Sequence, residues 1–287
     1  MNDPRDLLAE HWGLTAPRVR SLDGGMNSTT WLVEHDGTAY VAKHVPPGGV
    51  DALLAGSEVA RTLADAGFTT GRPVAARDGR LVVTEAGLAL LEHVPGRELE
   101  GDSEDEQEWI ARVLAGVHAT DAAPGPATSV FATDWLDPHA PGVGEHDWLV
   151  TAIAHVREET DPLALTWSVL HTDPAPEAFV HDDATGVTGL IDWAGARRGP
   201  VLYDVASAVM YLGGRARASA FLAAYADRGP LAADELRQLD AFSRLREAVQ
   251  GVYFAGRLAT DDRTGGVEVA DNQRGLDDAR RRLAGLG

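Results

Sequence analysis

Apolar and polar positions change their period once along the chain. In the first ~95 residues a period near two dominates. Residues 29–34 and 38–45 alternate about His35-Asp36-Gly37, a tight turn, and predict a hairpin preceded by a short strand. A period near 3.6 interrupts at about 50–66, where Leu53, Leu54, Ala60, Leu63 and Ala64 predict a helix that Gly67 ends. Strands are expected again at 80–85 and 88–94, separated by Ala86-Gly87. Pro95-Gly96 breaks the pattern, and 97–103 reads as a polar crossing. Beyond it the period turns helical, at 104–119, 146–160, 203–212, 216–227, 232–260 and 276–285. The acidic run Glu104-Asp105-Glu106 suits the positive end of a helix dipole. A Pro/Gly-rich stretch at 124–144 reads as loop, and a polar insertion occupies 261–275. Short strands at 179–181 and 187–191 flank a turn at 182–186. No repeat of solenoid period is present. The pattern predicts an α+β chain in two lobes. A small β-rich N-lobe with one helix spans 1–96, and a larger, mainly helical C-lobe spans 97–287.

Composition narrows the function classes. The 287 residues carry 44 acids against 25 bases, a net charge of −19 with no basic tract. That excludes nucleic acid as a partner and disfavours an anionic membrane surface. With no cysteine, disulfides, zinc-thiolate sites and thiol nucleophiles are excluded. The N-terminus lacks the basic and apolar regions of a signal peptide, and no apolar run reaches the ~18 residues of a membrane span. A soluble cytoplasmic protein is expected, its oligomeric state open. Of the 25 bases one is a lysine, Lys43. Codon bias explains the depletion; it does not explain the position that escaped it.

Four segments could carry chemistry. In Ser21-Leu22-Asp23-Gly24-Gly25-Met26-Asn27-Ser28, two glycines could let backbone N–H groups approach phosphate, although a plain turn would use the same residues. Lys43 sits mid-strand with Val41 and Val45 on its face, where an ammonium needs a partner; Glu58, 15 residues on, is the candidate. The bland alternative is an edge-strand lysine with a snorkelling head. His171-Thr172-Asp173, followed by prolines, could fix the Asp173 carboxylate to accept a hydroxyl proton, with His171 orienting the loop through backbone groups; a turn aspartate is the alternative. Asp192 closes an apolar strand 19 residues later, and Asp204 opens a helix as its N-cap or as a brace for the loop. Two carboxylates with separate tasks, proton acceptor and Mg²⁺ ligand, are what phosphoryl transfer asks for.

In order and spacing these segments resemble the aminoglycoside phosphotransferase and choline kinase-like family, over roughly residues 20–260. The block that carries the resemblance is His171-Thr172-Asp173, Ile191-Asp192-Trp193 and Tyr203-Asp204-Val205-Ala206. The resemblance implies the two-lobed protein-kinase-like fold and an ATP- (or GTP-) and Mg²⁺-dependent transfer to a small-molecule hydroxyl. It makes Asp173 the base and Asp192 the metal ligand, with Lys43 on the phosphates steadied by Glu58. Gly24, Gly25, Asn27 and Ser28 would cradle phosphates, and backbone groups of Glu92 and Val94, in Leu91-Glu92-His93-Val94-Pro95-Gly96, would meet adenine. An aminoglycoside-like antibiotic is the acceptor put first; a choline- or homoserine-kinase-type metabolite is the alternative. One departure stands out: Ala178 occupies the position of the family's metal-binding asparagine. It leaves one-metal catalysis, a substitute ligand from Glu177 or His181, or a nucleotide-binding protein without transfer. The family's glycine is Thr172 here, a change tolerated if φ is negative. In the C-lobe, Glu145, Asp147, Glu158, Glu159 and Asp161 could line a pocket for a polyamine, but read mostly as a solvated face. Trp148, Trp167, Tyr211, Tyr253 and Phe254 could shape an apolar pocket, but such spacing is more often core. Arg197 and Arg198 could meet an anion or lie on loop surface.

Overall fold

The computed structural model describes residues 3–22, 25–120, 136–161 and 163–286. The expected loop at 124–144 therefore lies partly outside the described residues, as does Gly24. A short helical turn, α1 (Arg5–Leu7) continuing through Leu8–Trp12, precedes a five-stranded antiparallel sheet ordered β1-β2-β3-β5-β4. Its strands are β1 (Arg18–Leu22), β2 (Thr29–His35), β3 (Thr38–His44), β4 (Val82–Val83) and β5 (Leu88–Glu92). The 80–85 strand thus shrinks to two residues: the Arg80 carbonyl accepts from the Ala76 amide at 2.8 Å in a turn instead of pairing in a ladder. Alternation decides which side each residue takes. Trp31, Val33, Ala42, Leu88 and Leu90 bury against Leu8 and Leu14 on one face. Val45, Val82 and Ala89 bury against Leu53 of α2 (Val50–Asp65) on the other. Lys43, two residues from Val45, faces the α2 side.

The C-lobe is mainly helical: α3 (Glu104–Ala119), α4 (Asp147–Thr160), α5 (Leu202–Tyr211), α6 (Ser219–Arg228), α7 (Ala233–Leu236), α8 (Leu239–Ala259) and α9 (Val269–Gly285). One core runs from Leu63 of α2 through Ile110, Leu114, Ile153, Phe179, Tyr203, Phe221 and Phe242 to Leu276, so α2 is packed into both lobes. The expected 232–260 helix breaks into α7 and α8, and α9 starts seven residues earlier than the apolar pattern suggested. Its first turns are polar, and Asn272, 1% exposed, is held by side-chain hydrogen bonds that no apolar period reveals. Glu106 does more than face a helix dipole. Its carboxylate accepts from Arg97 at 2.6 Å and from the Glu100 and Gly101 amides at 3.0 and 2.8 Å, tying the polar crossing to α3.

Two small ladders in this lobe set up the chemistry. β7 (Trp167–Leu170) pairs with β10 (Arg197–Pro200), Arg197 opposite Leu170. β6 (Arg97–Glu98), β8 (Phe179–Asp182) and β9 (Val187–Leu190) form the second, Phe179 opposite Leu190. The first register sets 171–173 beside 194–196; the second sets Ala178 beside Ile191. Neither β6, β7 nor β10 follows from the sequence pattern, since each is two to four residues long. Among the described residues, no helix is long and apolar enough to cross a membrane.

Candidate active site

The two registers bring the separated motifs together. Thr172 Oγ1 donates to the Gly195 carbonyl at 3.1 Å, and the Ile191 amide donates to the Ala178 carbonyl at 2.9 Å. His171 is 1% exposed, and its Nε2 donates to the Ile191 carbonyl at 2.8 Å, tying the His-Thr-Asp loop to the residue before Asp192. Beneath the loop lies Asp204, fully buried, whose two oxygens accept from the backbone amides of His171 (2.7 Å) and Thr172 (2.8 Å). Asp204 is in turn met by His118 Nε2 at 3.1 Å, and His118 Nδ1 lies 2.6 Å from the Tyr225 hydroxyl. Of the two roles open to Asp204, the structure gives it the brace; Val201 occupies the cap position of α5.

The brace supports strain. Thr172 has φ +76° and Asp192 φ +67°, both in the left-handed region that a β-branched or acidic side chain enters at a cost. The condition attached to Thr172 therefore fails: φ is positive, and threonine is held there by the Asp204 and Gly195 hydrogen bonds. The turn after Asp192, Trp193–Gly195, packs directly on α2 at Gly56, where an added Cβ would come within 2.2 Å of the Trp193 carbonyl oxygen.

Lys43 is 7% exposed and its Nζ meets Asp192 Oδ1 across the lobes. The expected Lys43–Glu58 pair is absent. Glu58 Oε2 is buried without a hydrogen-bond partner, because the lysine reaches past α2 to the carboxylate at the end of β9. Crowding by the cleft walls works to raise the Asp192 pKa, but the Lys43 ammonium outweighs it and holds the carboxyl below its ordinary range. Its side chain nevertheless keeps about half of its surface open to solvent (51%).

Asp173 is presented outward, its side chain 61% exposed. Its Oδ1 accepts from Tyr211 Oη at 2.5 Å and from the buried Arg246 Nη2 at 2.7 Å. Sequence reasoning missed Arg246 and placed Tyr211 only among aromatics. A signal was present: Arg246, Gln250, Tyr253 and Arg257 recur at intervals of four, three and four, a polar stripe on one face of α8.

The far end of that stripe meets the glycine loop. Asn27 Oδ1 accepts from Tyr253 Oη at 2.9 Å and Arg257 Nη1 at 3.3 Å, and the Met26 carbonyl accepts from Arg257 Nη1 at 3.2 Å. Gly25 has φ +91°, Ser28 is buried, and Gly265 fits against the Gly25 carbonyl where a Cβ would approach to 2.1 Å. At the end of β5, the Glu92 amide donates to the Arg72 carbonyl at 2.8 Å. Glu92, Val94 and Ile191 converge around Gly71, each with an atom 3.5–3.9 Å from where its Cβ would stand.

Neither proposed substitute for the missing asparagine joins Asp192 in a group of three or more His, Asp or Glu side chains. His181 stacks on Trp109 with ring centroids 3.8 Å apart and has Nδ1 2.8 Å from Thr188 Oγ1, and Glu177 is exposed. Ala178 is 8% exposed and adds only a methyl group beside the Asp192 strand. No group of three or more His, Asp or Glu among the described residues could hold a metal. One carboxylate fits Mg²⁺ carried with a nucleotide, since that ion keeps waters and takes phosphate oxygens; it does not fit a protein-made cage. Of the C-lobe acids, Glu159 pairs with Arg244, and Glu145, Asp147, Glu158 and Asp161 are exposed. Trp148 and Phe254 pack against the core, Trp167 is 40% exposed beneath Arg198, and Tyr253 is on the glycine loop.

Comparison with known proteins agrees with the fold. A homoserine kinase of Rhodopseudomonas palustris (strain TIE-1) is 28% identical over 205 residues, 63% of this chain and 61% of that protein. The chain thus spans about three-fifths of the homoserine kinases it matches. A choline kinase from Streptococcus pneumoniae shares the fold with a TM-score of 0.75 at 18% identity, covering 98% of this chain and 97% of that one. A spectinomycin phosphotransferase solved with ADP and spectinomycin does so with a TM-score of 0.68 at 11% identity, covering 98% and 97%. The two-lobed architecture is the kinase-like fold of such enzymes. The model of the phosphotransferase enzyme family matches residues 18–242, and the chain belongs to that family.

Proposed function

We propose that the chain transfers the γ-phosphoryl group of ATP or GTP to a hydroxyl of a small molecule. The observation that carries this reading is the pairing of Lys43 with Asp192 beside an outward-facing Asp173 on a loop braced from below by Asp204. Residues 1–96 would hold the nucleotide, and 97–287 would supply the catalytic loop and the acceptor site. Lys43 and the Gly25–Ser28 loop would bind the phosphates, and Glu92 and Val94 the adenine edge. Mg²⁺ bound with the nucleotide would be held by Asp192 and would neutralise charge on the phosphate oxygens. In the transfer, the bond from the γ-phosphorus to the bridging oxygen breaks and one to the acceptor oxygen forms. The acceptor proton passes to Asp173. The transition state is loose, so Asp173 contributes more by orienting the hydroxyl than by basicity.

An aminoglycoside-like antibiotic is the acceptor we place first, because a net charge of −19 tolerates a polycation. Relatedness to homoserine kinases favours a second reading, a metabolic kinase. Ala178 favours a third, nucleotide binding without transfer. γ-Labelled ATP with Mg²⁺ and a panel of aminoglycosides, macrolides, nucleoside antibiotics, amino alcohols and homoserine separates them. Label on an acceptor supports the kinase and names its class. A thermal shift by ATP without hydrolysis or transfer across the panel favours the third.

A further inference from the structure

Asp173 is exposed, with 61% of its side chain open to solvent, and it sits on irregular chain. An exposed carboxylate there would sample several rotamers unless something outside the loop held it. What holds it comes from two helices. Arg246 of α8, with a side chain 6% exposed, donates Nη2 to Asp173 Oδ1 at 2.7 Å. Tyr211, the last residue of α5, donates its hydroxyl to the same oxygen at 2.5 Å. Arg246 is itself fixed. Its Nε donates to Ser207 Oγ at 2.9 Å, and its Nη2 also donates to the Tyr211 hydroxyl at 3.2 Å. The guanidinium lies 5.9 Å from the Tyr203 ring centroid and 5.8 Å from that of Tyr211. A planar fork with this many partners has little freedom left, so the carboxylate it grips inherits a defined orientation. Both grips fall on Oδ1. That leaves Oδ2 to face an incoming hydroxyl.

We propose that Arg246 and Tyr211 are positioning residues that hold Asp173 by Oδ1 so that Oδ2 is aimed at the acceptor hydroxyl. The inference rests on the phosphotransferase reading with Asp173 as proton acceptor. It assigns to α8 a part in the reaction that none of the four sequence segments carries.

The test compares Arg246→Met, Arg246→Lys and Tyr211→Phe with wild type on the acceptor that the panel identifies. Loss of positioning lowers kcat by about 100-fold in Arg246→Met and about 10-fold in Tyr211→Phe, with KM for ATP within about 2-fold of wild type. Arg246→Lys recovers part of the Arg246→Met loss, since it restores the charge and one donor but not the fork. Wild-type kcat in folded Arg246→Met and Tyr211→Phe overturns the proposal. So does a rise in KM for ATP that accounts for the whole loss. If Arg246→Met does not fold, Tyr211→Phe, which removes one hydroxyl, decides. A second readout needs no turnover: the Asp173 carboxyl ¹³C resonance, assigned by difference against Asp173→Asn, shifts in both variants. An unmoved resonance overturns the grip itself. A wild-type chain that binds ATP and transfers phosphate to nothing defeats the phosphotransferase reading and this one with it, an outcome distinct from an active wild type with indifferent variants.

Discussion

A β-branched residue in the left-handed backbone region costs on the order of 1–3 kcal/mol, and Thr172 stays there because Asp204 and Gly195 bond its amide and hydroxyl. The same logic, local cost against a fixed geometry, explains Gly56. A glycine inside a helix is unfavourable by about 1 kcal/mol relative to alanine, so Gly56→Ala would stabilise an isolated α2. Here the added Cβ would come within 2.2 Å of the Trp193 carbonyl, and the turn that follows Asp192 would have to move. Gly56→Ala is therefore expected to lower the melting temperature and raise KM for ATP together; calorimetry and initial rates check both. Lys43 is a second residue-scale case. Its buried ammonium reaches one carboxylate oxygen at the end of a strand side chain, a place where a planar guanidinium fits poorly. Lys43→Arg keeps the charge and is expected to weaken ATP use by about 10-fold or more, read as kcat/KM for ATP; an indifferent variant returns the sole lysine to chance.

At the scale of elements, α8 joins the two loops that matter. From Arg246 to Arg257 the helix rises about 16 Å, with Asp173 at one end of its polar stripe and the glycine loop at the other. Arg257, 4% exposed, also binds Asp262, Thr264 and Asn272, which is why the polar stretch after α8 is ordered against the N-lobe. Arg257→Met is expected to release Asn27 and Met26, raising KM for ATP about 10-fold with a smaller change in kcat, and to destabilise the fold by about 3 kcal/mol by leaving Asp262 and Asn272 without their partner. Steady-state kinetics and denaturant melts check the two parts. These element-level ties were the least legible in the sequence. The hairpin at 29–44, the α2 helix and the helical C-lobe follow from periodicity, because burial on one face writes a regular pattern. β6, β7 and β10 do not, because a two- to four-residue ladder is too short to have a period. The motif residues Lys43, Asp173 and Asp192 were legible by type and spacing. Their partners were not: Lys43 bonds Asp192 rather than Glu58, and Arg246 reaches Asp173 over 73 residues of chain. Such contacts are set by how lobes and helices pack, which no local pattern encodes.

For the whole molecule, charge sets the response to solution conditions. A net charge of −19 repels itself, so moderate salt is expected to raise the melting temperature. Several carboxyls are held below their ordinary range. In Glu106, burial works upward and is outweighed by Arg97 and the Gly101 and Glu100 amides; in Glu159, Arg244 does the lowering. A depressed folded-state pKa contributes stability that is present above the unfolded value, about 4.3 for glutamate, and is lost as pH falls through the folded value. Unfolding free energy is therefore expected to be level near neutrality and to fall below about pH 4, as urea melts across pH would record. On the proposed reading, the two lobes meet to present one carboxylate, Asp173, to an acceptor beside a bound nucleotide. The most direct measurement is phosphoryl transfer by wild type and Asp173→Asn with γ-labelled ATP, alongside ATP binding by each. Labelled product is expected from wild type alone, with nucleotide affinity unchanged in the variant. Full transfer by Asp173→Asn would contradict that reading.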